Sequence, residues 1–273
     1  MADQTTLSDV AAGGDSADGR RCLSLTVSGP WGHFRRVDGN TVKATYRLPP
    51  RTTVAGLLAA IVGRDRDDYY ETFTPGESGV AVQPTNQIRT INLPENSLTT
   101  ASEGMKSVNA RGKVTIRYPD PDTDRQRSNY EVLVNPAYRI DVWTTDDTFY
   151  ESLRDRLAAG ESYYTPSLGL SEHLAEIEYH GEFTARRVDA DGAVAVDSAV
   201  PDPDGVVPNS EVSFGTERSP GYMEQTSGPG EFTGRRTTGF LTQAYPTSNH
   251  GSQRLVVDGV EVYEVGDRQV VFA

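Results

Sequence analysis

The chain has 273 residues, 26 Lys and Arg against 39 Asp and Glu, a formal net charge of −13 and a single cysteine. That length supports a substantial buried core, no apolar run nears the roughly 20 residues that a bilayer-spanning helix needs, and one thiol rules out an internal disulfide framework. A soluble, cytoplasmic protein is expected. The negative balance is unevenly distributed, because residues 30–130 hold 14 Lys and Arg against 11 Asp and Glu, a net of +3 that leaves −16 elsewhere. All three lysines, Lys43, Lys106 and Lys113, lie in that window. An acidic surface with scarce lysine suits a halophilic cytoplasm of very high salt. There the Debye length falls to about 3 Å at 1 M, so a grip on phosphate must lean on stacking and directed hydrogen bonds.

Residues Met1 to Arg20 are rich in Asp, Gly, Ser and Ala without apolar period and are expected to form a disordered leader. Leu23, Leu25 and Val27 then alternate with Ser24, Thr26 and Ser28, the pattern of a strand with one buried face. Cys22 reads as a small buried hydrophobe at its start. Ser28-Gly29-Pro30 ends pairing, since proline lacks the N–H a ladder needs. Trp31-Gly32-His33-Phe34-Arg35-Arg36 follows and displays two aromatics beside three potential cations. A partly basic segment through Lys43, Tyr46 and Arg47 leads past Arg51 to a helix, with Thr52 or Thr53 as its expected cap, an apolar face of Val54, Leu57, Leu58 and Ile61, and a stop at Gly63.

Gly79–Gln83 reads as the next strand, and Gln87–Asn92 continues or pairs with it. From Asn92 to Asn129 the sequence is polar and punctuated by Pro and Gly, yet Val114–Tyr118 alternates; residues 86–130 are expected to form a long hairpin arm. Tyr130–Val134 and Tyr138–Trp143 return the chain to the sheet. Asp146 or Asp147 caps a second helix carrying Phe149, Leu153 and Leu157, which ends at Gly160, and Leu174–Tyr179 supplies a closing strand. The resulting order, β-α-β-β-α-β over residues 21–188, is that of an α+β, ferredoxin-like (RRM-like) domain. Residues 189–230 read as a variable acidic region with little fixed structure. Residues 231–273 read as β-rich, with a tight hairpin about Asp258-Gly259 and a last strand after Gly266-Asp267.

WGHFRR after the first strand, followed by YRLPPRTTVAGLLAAIVG, resembles the fifth CRISPR-associated protein family in the form found in type I-B Cascade. The likeness is strongest over residues 22–63, looser to Val188 and weak beyond. It implies a member of the repeat-associated mysterious protein (RAMP) superfamily that holds the 5′ handle of a CRISPR RNA in antiviral defence. It also implies a place at the foot of the Cascade backbone, in contact with a backbone subunit and the large subunit. Trp31, His33 or Phe34 would then stack on handle bases while Arg35 and Arg36 pair with phosphates, with Lys43, Tyr46, Arg47 and Arg51 on the same rim. Core packing is the plain alternative for Trp31 and Phe34. The resemblance further implies that the arm contacts guide RNA and a neighbouring subunit, with Lys106, Arg111, Lys113 and Arg117 facing phosphates; a solvated surface loop with scattered charge is the plain alternative for each. Gly169, in a turn resembling the glycine-containing loop of these proteins, would let backbone approach RNA or would serve as an ordinary turn glycine. Arg235, Arg236 and Phe240 could line RNA or a partner.

No phosphate-binding loop, H-E-x-x-H or C-x-x-C motif occurs, and no metal or cofactor is expected. His33, His173, His180 and His250 are far apart in sequence. His33 beside Arg35 and Arg36 is the one arrangement suited to general acid-base cleavage of RNA. Since some relatives in another CRISPR subtype cut precursor RNA, a metal-free endoribonuclease stands as the alternative to a non-catalytic RNA-binding subunit. A scaffold meeting acidic protein partners is the third reading.

Overall fold

The computed structural model describes residues 17–36, 42–98, 106–108, 114–116, 125–189, 192–208, 212–227, 233–247 and 254–273. The alternation after Cys22 becomes β1 (Arg21–Ser28), whose Leu23, Leu25 and Val27 enter the main core. Four two-residue strands follow: β2 (Trp31–Gly32), β3 (Phe34–Arg35), β4 (Val42–Lys43) and β5 (Thr45–Tyr46). Helix α1 (Arg51–Val62) begins one to two residues before the expected threonine caps. Pro50 is its N-cap, and the Pro50 carbonyl accepts from the N–H groups of Thr53 and Val54. Gly63, at φ 89°, ends it as expected.

Next come β6 (Ser78–Pro84), β7 (Thr90–Leu98), β8 (Lys106–Val108), β9 (Val114–Ile116), β10 (Arg125–Val134) and β11 (Ala137–Thr144). Within the stretch expected to form an arm, β7 runs antiparallel to β10 from Thr90 opposite Leu133 to Leu98 opposite Arg125, and β8 pairs with β9. Helix α2 (Asp147–Ala159) is capped by the Asp146 carboxylate, which accepts from the Phe149 N–H, and it closes on Gly160 at φ 68°. β12 (Glu176–Thr184) completes a four-stranded sheet of order β12-β1-β11-β6 with every pair antiparallel. β11 thus inserts between β1 and β6, the arrangement expected of a β-α-β-β-α-β order. Val80, Val82, Tyr138, Ile140 and Val142 share one face with the β1 core residues and meet Val54, Leu58 and Ile61 of α1 and Phe149 and Leu153 of α2. The closing strand starts at Glu176 because Leu174 instead bridges Ser167.

The remaining strands are β13 (Arg186–Arg187), β14 (Val194–Val196), β15 (Phe214–Ser227), β16 (Thr233–Pro246), β17 (Leu255–Val257), β18 (Tyr263–Val265) and β19 (Arg268–Val270). Three expectations change here. The acidic region holds β14 and β15, and β15 forms a long antiparallel ladder with β16. Ala199 and Tyr245 from this half enter the same core as the helices. The Asp258-Gly259 hairpin does not form: β17 pairs with β14, and β18 with β13 and β19. Leu255 and Val257 are drawn into one apolar cluster with Val196 and Val200, whereas Tyr263 and Val265 are drawn into another around Trp143, so the two strands diverge. Finally, Ala17–Arg20 is not loose leader, since Ala17 is buried and the Gly19 N–H donates to the Ala185 carbonyl. Residues 1–16 lie outside the described residues.

Candidate nucleic-acid interface

β10 is the middle of a second, smaller sheet. β2 and β4 lie along one of its edges, with Trp31 opposite Val134 and Lys43 opposite Tyr130; β7 lies along the other, with Ile91 opposite Val132 and Leu93 opposite Tyr130. Side chains directly opposite across a ladder share a face, so Trp31, Val134, Ile91, Leu93, Tyr130 and Lys43 form one surface around buried Val132. Trp31 and Ile91 are each 37 % exposed. The Lys43 ammonium donates to the Tyr130 hydroxyl at 2.7 Å and lies 4.5 Å from that ring's centroid. Beneath this surface, His33 meets Tyr130 edge-on at 5.2 Å.

The other residues of the basic stretch divide by depth. Arg35 on β3 is exposed and has no ion-pair partner among the described residues. Arg36 lies 3.8 Å from the Glu217 carboxylate and over the Tyr46 ring. Arg47 grips Glu131 with both terminal nitrogens, at 2.7 and 3.0 Å. Arg51 is 3 % exposed, and its guanidinium donates to the carbonyls of Ala273, Phe73 and Ser78 and to the Ser78 hydroxyl, all within 3.1 Å. Burial holds the Arg51 pKa below its ordinary value despite the Tyr222 ring stacked on it.

Two carboxylates organise this region. Glu131 accepts from Arg47, from the Thr45 N–H and from the Thr90 hydroxyl. Burial works against its charge, but those donors outweigh it and leave its pKa below the usual carboxylate range. Glu217, on β15, accepts from the N–H groups of Arg47 and Leu48 at 2.7 and 3.2 Å. There burial prevails over the same kind of partners and pushes the pKa up. The long C-terminal hairpin is therefore fastened to the basic stretch through one nearly buried acid.

Residues 22–239 match the family described as CRISPR-associated protein (Cas_Cas5). The chain belongs to this family. No curated protein matches the sequence. The fold is similar to that of a chain from a CRISPR RNA-guided surveillance complex, at 16 % identity and TM-score 0.51 over 87 % of this chain and 91 % of that one. It is also similar to a CRISPR protein from Archaeoglobus fulgidus, at 15 % identity and TM-score 0.53 over 92 % and 98 % of the respective chains.

Within this Cas_Cas5-family chain several expected RNA contacts turn out to face inward. Phe34 and Tyr46 are core residues, Phe34 packing 5.9 Å from Tyr138. His33 is 1 % exposed, with Nδ1 2.8 Å from the Glu131 carbonyl. A carbonyl only accepts, so Nδ1 donates to it; Nε2 is buried too, so neither ring nitrogen is offered to solvent. Arg51 is likewise a structural donor and Arg47 a clamped one. Gly169 has φ 94°, and a Cβ there would collide with the His33 carbonyl oxygen. Its close approach is to the protein's own chain, where the His33 N–H also donates to Leu168. The Pro166–Gly169 turn thus props up the Trp31 segment from behind.

Lys106 contributes backbone to β8, while its side chain and all of Arg111, Lys113 and Arg117 lie outside the described residues. Tyr130, Ile91, Glu131 and Glu217 were not singled out from sequence. Arg89 and Arg127, both exposed on or beside the arm's base, were not either. The strand alternation of Tyr130–Val134 was visible, but which residues it would face was not.

Proposed function

We propose that this chain is the non-catalytic, guide-RNA-binding subunit of a type I-B Cascade complex. It holds the 5′ handle of the CRISPR RNA, caps the foot of the backbone and contacts the backbone and large subunits, with its arm reaching guide RNA and a neighbouring subunit. The observation that carries the reading is the shared surface of Trp31, Tyr130 and Lys43, with Arg35 exposed on the same stretch. Aromatic faces accept unpaired bases without sequence preference, and flanking cations track phosphates. Family membership and a fold similar to that of a surveillance-complex chain support the assignment. Recognition of invaders would then come from guide base pairing. The location we assign is a high-salt cytoplasm, given the scarce lysine; among the described residues no helix is long and apolar enough to cross a membrane.

Crosslinking of the assembled complex on guide RNA carrying 4-thiouridine in the handle tests the reading. Adducts within Trp31–Lys43 and at Tyr130 are expected; adducts restricted to other subunits would remove it. No observation favours cleavage, because His33 presents no group to substrate. A repeat-containing precursor should stay intact with the purified protein, and defined cuts lost on His33→Ala would reinstate the enzyme.

A further inference from the structure

We propose that the open face of the four-stranded sheet holds a backbone phosphate of single-stranded RNA between Arg139 and Arg268, at a site separate from the Trp31 surface. The inference rests on the reading of the chain as an RNA-binding subunit. The face turned away from the helices is only partly covered: Tyr263, Val265 and Val270 pack on Cys22, Ala81 and Trp143. Beyond that patch Thr26 lies opposite Arg139, Arg139 lies opposite Gln83, and His180 neighbours them on β12, all half-exposed. Arg268 reaches in from the start of β19.

Arg139 Nε and Arg268 Nη2 donate to one oxygen, Ser24 Oγ, at 2.8 and 3.2 Å. Arg268 also donates to Asp141 and to the Gln83 amide oxygen, the latter at 3.1 Å, and Ser24 donates to Asp141. Thr26 Oγ1 lies 2.7 Å from His180 Nε2. Two guanidinium groups therefore converge on one hydroxyl, Ser24 Oγ, and one of them, Arg268, also pairs with Asp141, which is 1 % exposed. The terminal nitrogens of Arg139 and the buried Nε of Arg268 have no partner among the described residues.

Asp141, Glu178 and Asp267 balance the two guanidiniums in charge, so it is donors, not charge, that the cluster leaves unanswered. Burial and then the neighbouring Arg268 hold Arg139 below its ordinary pKa, and burial and then Arg139 do the same to His180. Glu178 and Asp267 stand at the margin, both exposed. A half-buried cation with unused donors, in a chain of net charge −13, is relieved by an oxyanion that takes those donors in forked geometry. The half-exposed lining is hydroxyl, amide, imidazole and guanidinium above the buried Asp141, donors of the kind that contact phosphodiesters. It lacks the apolar centre that a protein interface places around its charges. A phosphodiester is thus the ligand that fits, ahead of a partner's carboxylate.

The test measures binding of the full chain to fluorescent single-stranded guide RNA across a salt series, for wild type, Arg139→Gln, Arg139→Lys and Trp31→Ala. Arg139→Gln should weaken binding about tenfold and make the log–log salt slope shallower by about one, with Tm near that of wild type. Arg139→Lys should keep the slope and recover only part of the affinity, since it retains charge but not the fork; it carries the test if the glutamine variant fails to fold. Wild-type affinity and slope in Arg139→Gln, alongside weakened Trp31→Ala, would overturn this site and leave the proposed function standing. Absence of RNA binding by wild type would overturn both. Unchanged RNA affinity with loss of another subunit from the purified complex would place a protein carboxylate there and equally overturn the assignment.

Discussion

The two ends of the basic stretch that follows β1 have opposite fates. At the near end Trp31, Arg35 and Lys43 stay at the surface, Lys43 tied to the Tyr130 ring and hydroxyl. At the far end Arg47 and Arg51 turn inward, one clamped by Glu131 and the other by backbone carbonyls from three separate segments. Arg36, between them, is held loosely by Glu217. The difference teaches that a cation becomes available to a ligand according to which acceptors the tertiary neighbours bring to it. A guanidinium's five fixed donors make it suited either to a phosphate or to a set of carbonyls, and whichever reaches it first decides its role.

The sharpest way to break this comparison is Arg51→Met, which leaves buried carbonyls without donors. It should cost about 3 kcal/mol or more of stability, read as a lowered urea midpoint; an unchanged midpoint with lost RNA binding would show Arg51 to be an RNA contact after all. Trp31→Ala should do the reverse. It should weaken handle binding by about 1–3 kcal/mol per stacked base lost while the urea midpoint barely moves, and an unaltered dissociation constant would discard the stacking surface. Arg35→Ala should weaken binding by about 1.5 kcal/mol and Arg36→Ala by less, because Glu217 already answers part of the Arg36 charge; equal losses would mean that the Glu217 contact does not persist in solution.

The smallest effects concern pH. Glu217 has a raised pKa in the folded chain, so its protonation adds stability that is complete below the unfolded-state value and disappears as pH rises through the folded one. Glu131 has a lowered pKa, so its contribution is present above the unfolded-state value and is lost as pH falls through the folded one. As pH falls from neutral towards the ordinary carboxylate value, Glu217→Gln should therefore make acidification more destabilising than in wild type, and below that value Glu131→Gln should make it less so. Parallel urea titrations across that range, with the two variants shifting the slope in the same direction, would contradict the assigned environments.

Much of the sheet was legible because its signals are local. Leu23, Leu25 and Val27 needed only a period of two, and the helix ends needed only Asp146, Gly63 and Gly160, whose capping geometry involves the adjacent turn. The C-terminal half was less legible. β15 is interrupted by Gly and Pro and shifts register near Pro220, so its alternation is broken. The Asp258-Gly259 signal was genuine as a turn, with Gly259 at φ 71°, yet the strands flanking it separate to fill two different apolar clusters. Within the site, Trp31 and Lys43 could be read from their own neighbourhood. Tyr130 and Ile91 could not, because the arm brings them there from strands remote in sequence.

By itself the sequence determined the β-α-β-β-α-β layer, the family and the stretch that would carry cations and aromatics, since periodicity, caps and motif order depend on residues close together along the chain. Only the tertiary structure decided which of those cations remain free. Glu131, Glu217 and the carbonyls of Phe73, Ser78 and Ala273 reach the basic stretch from distant elements, and a charge is satisfied by what lies near it in space.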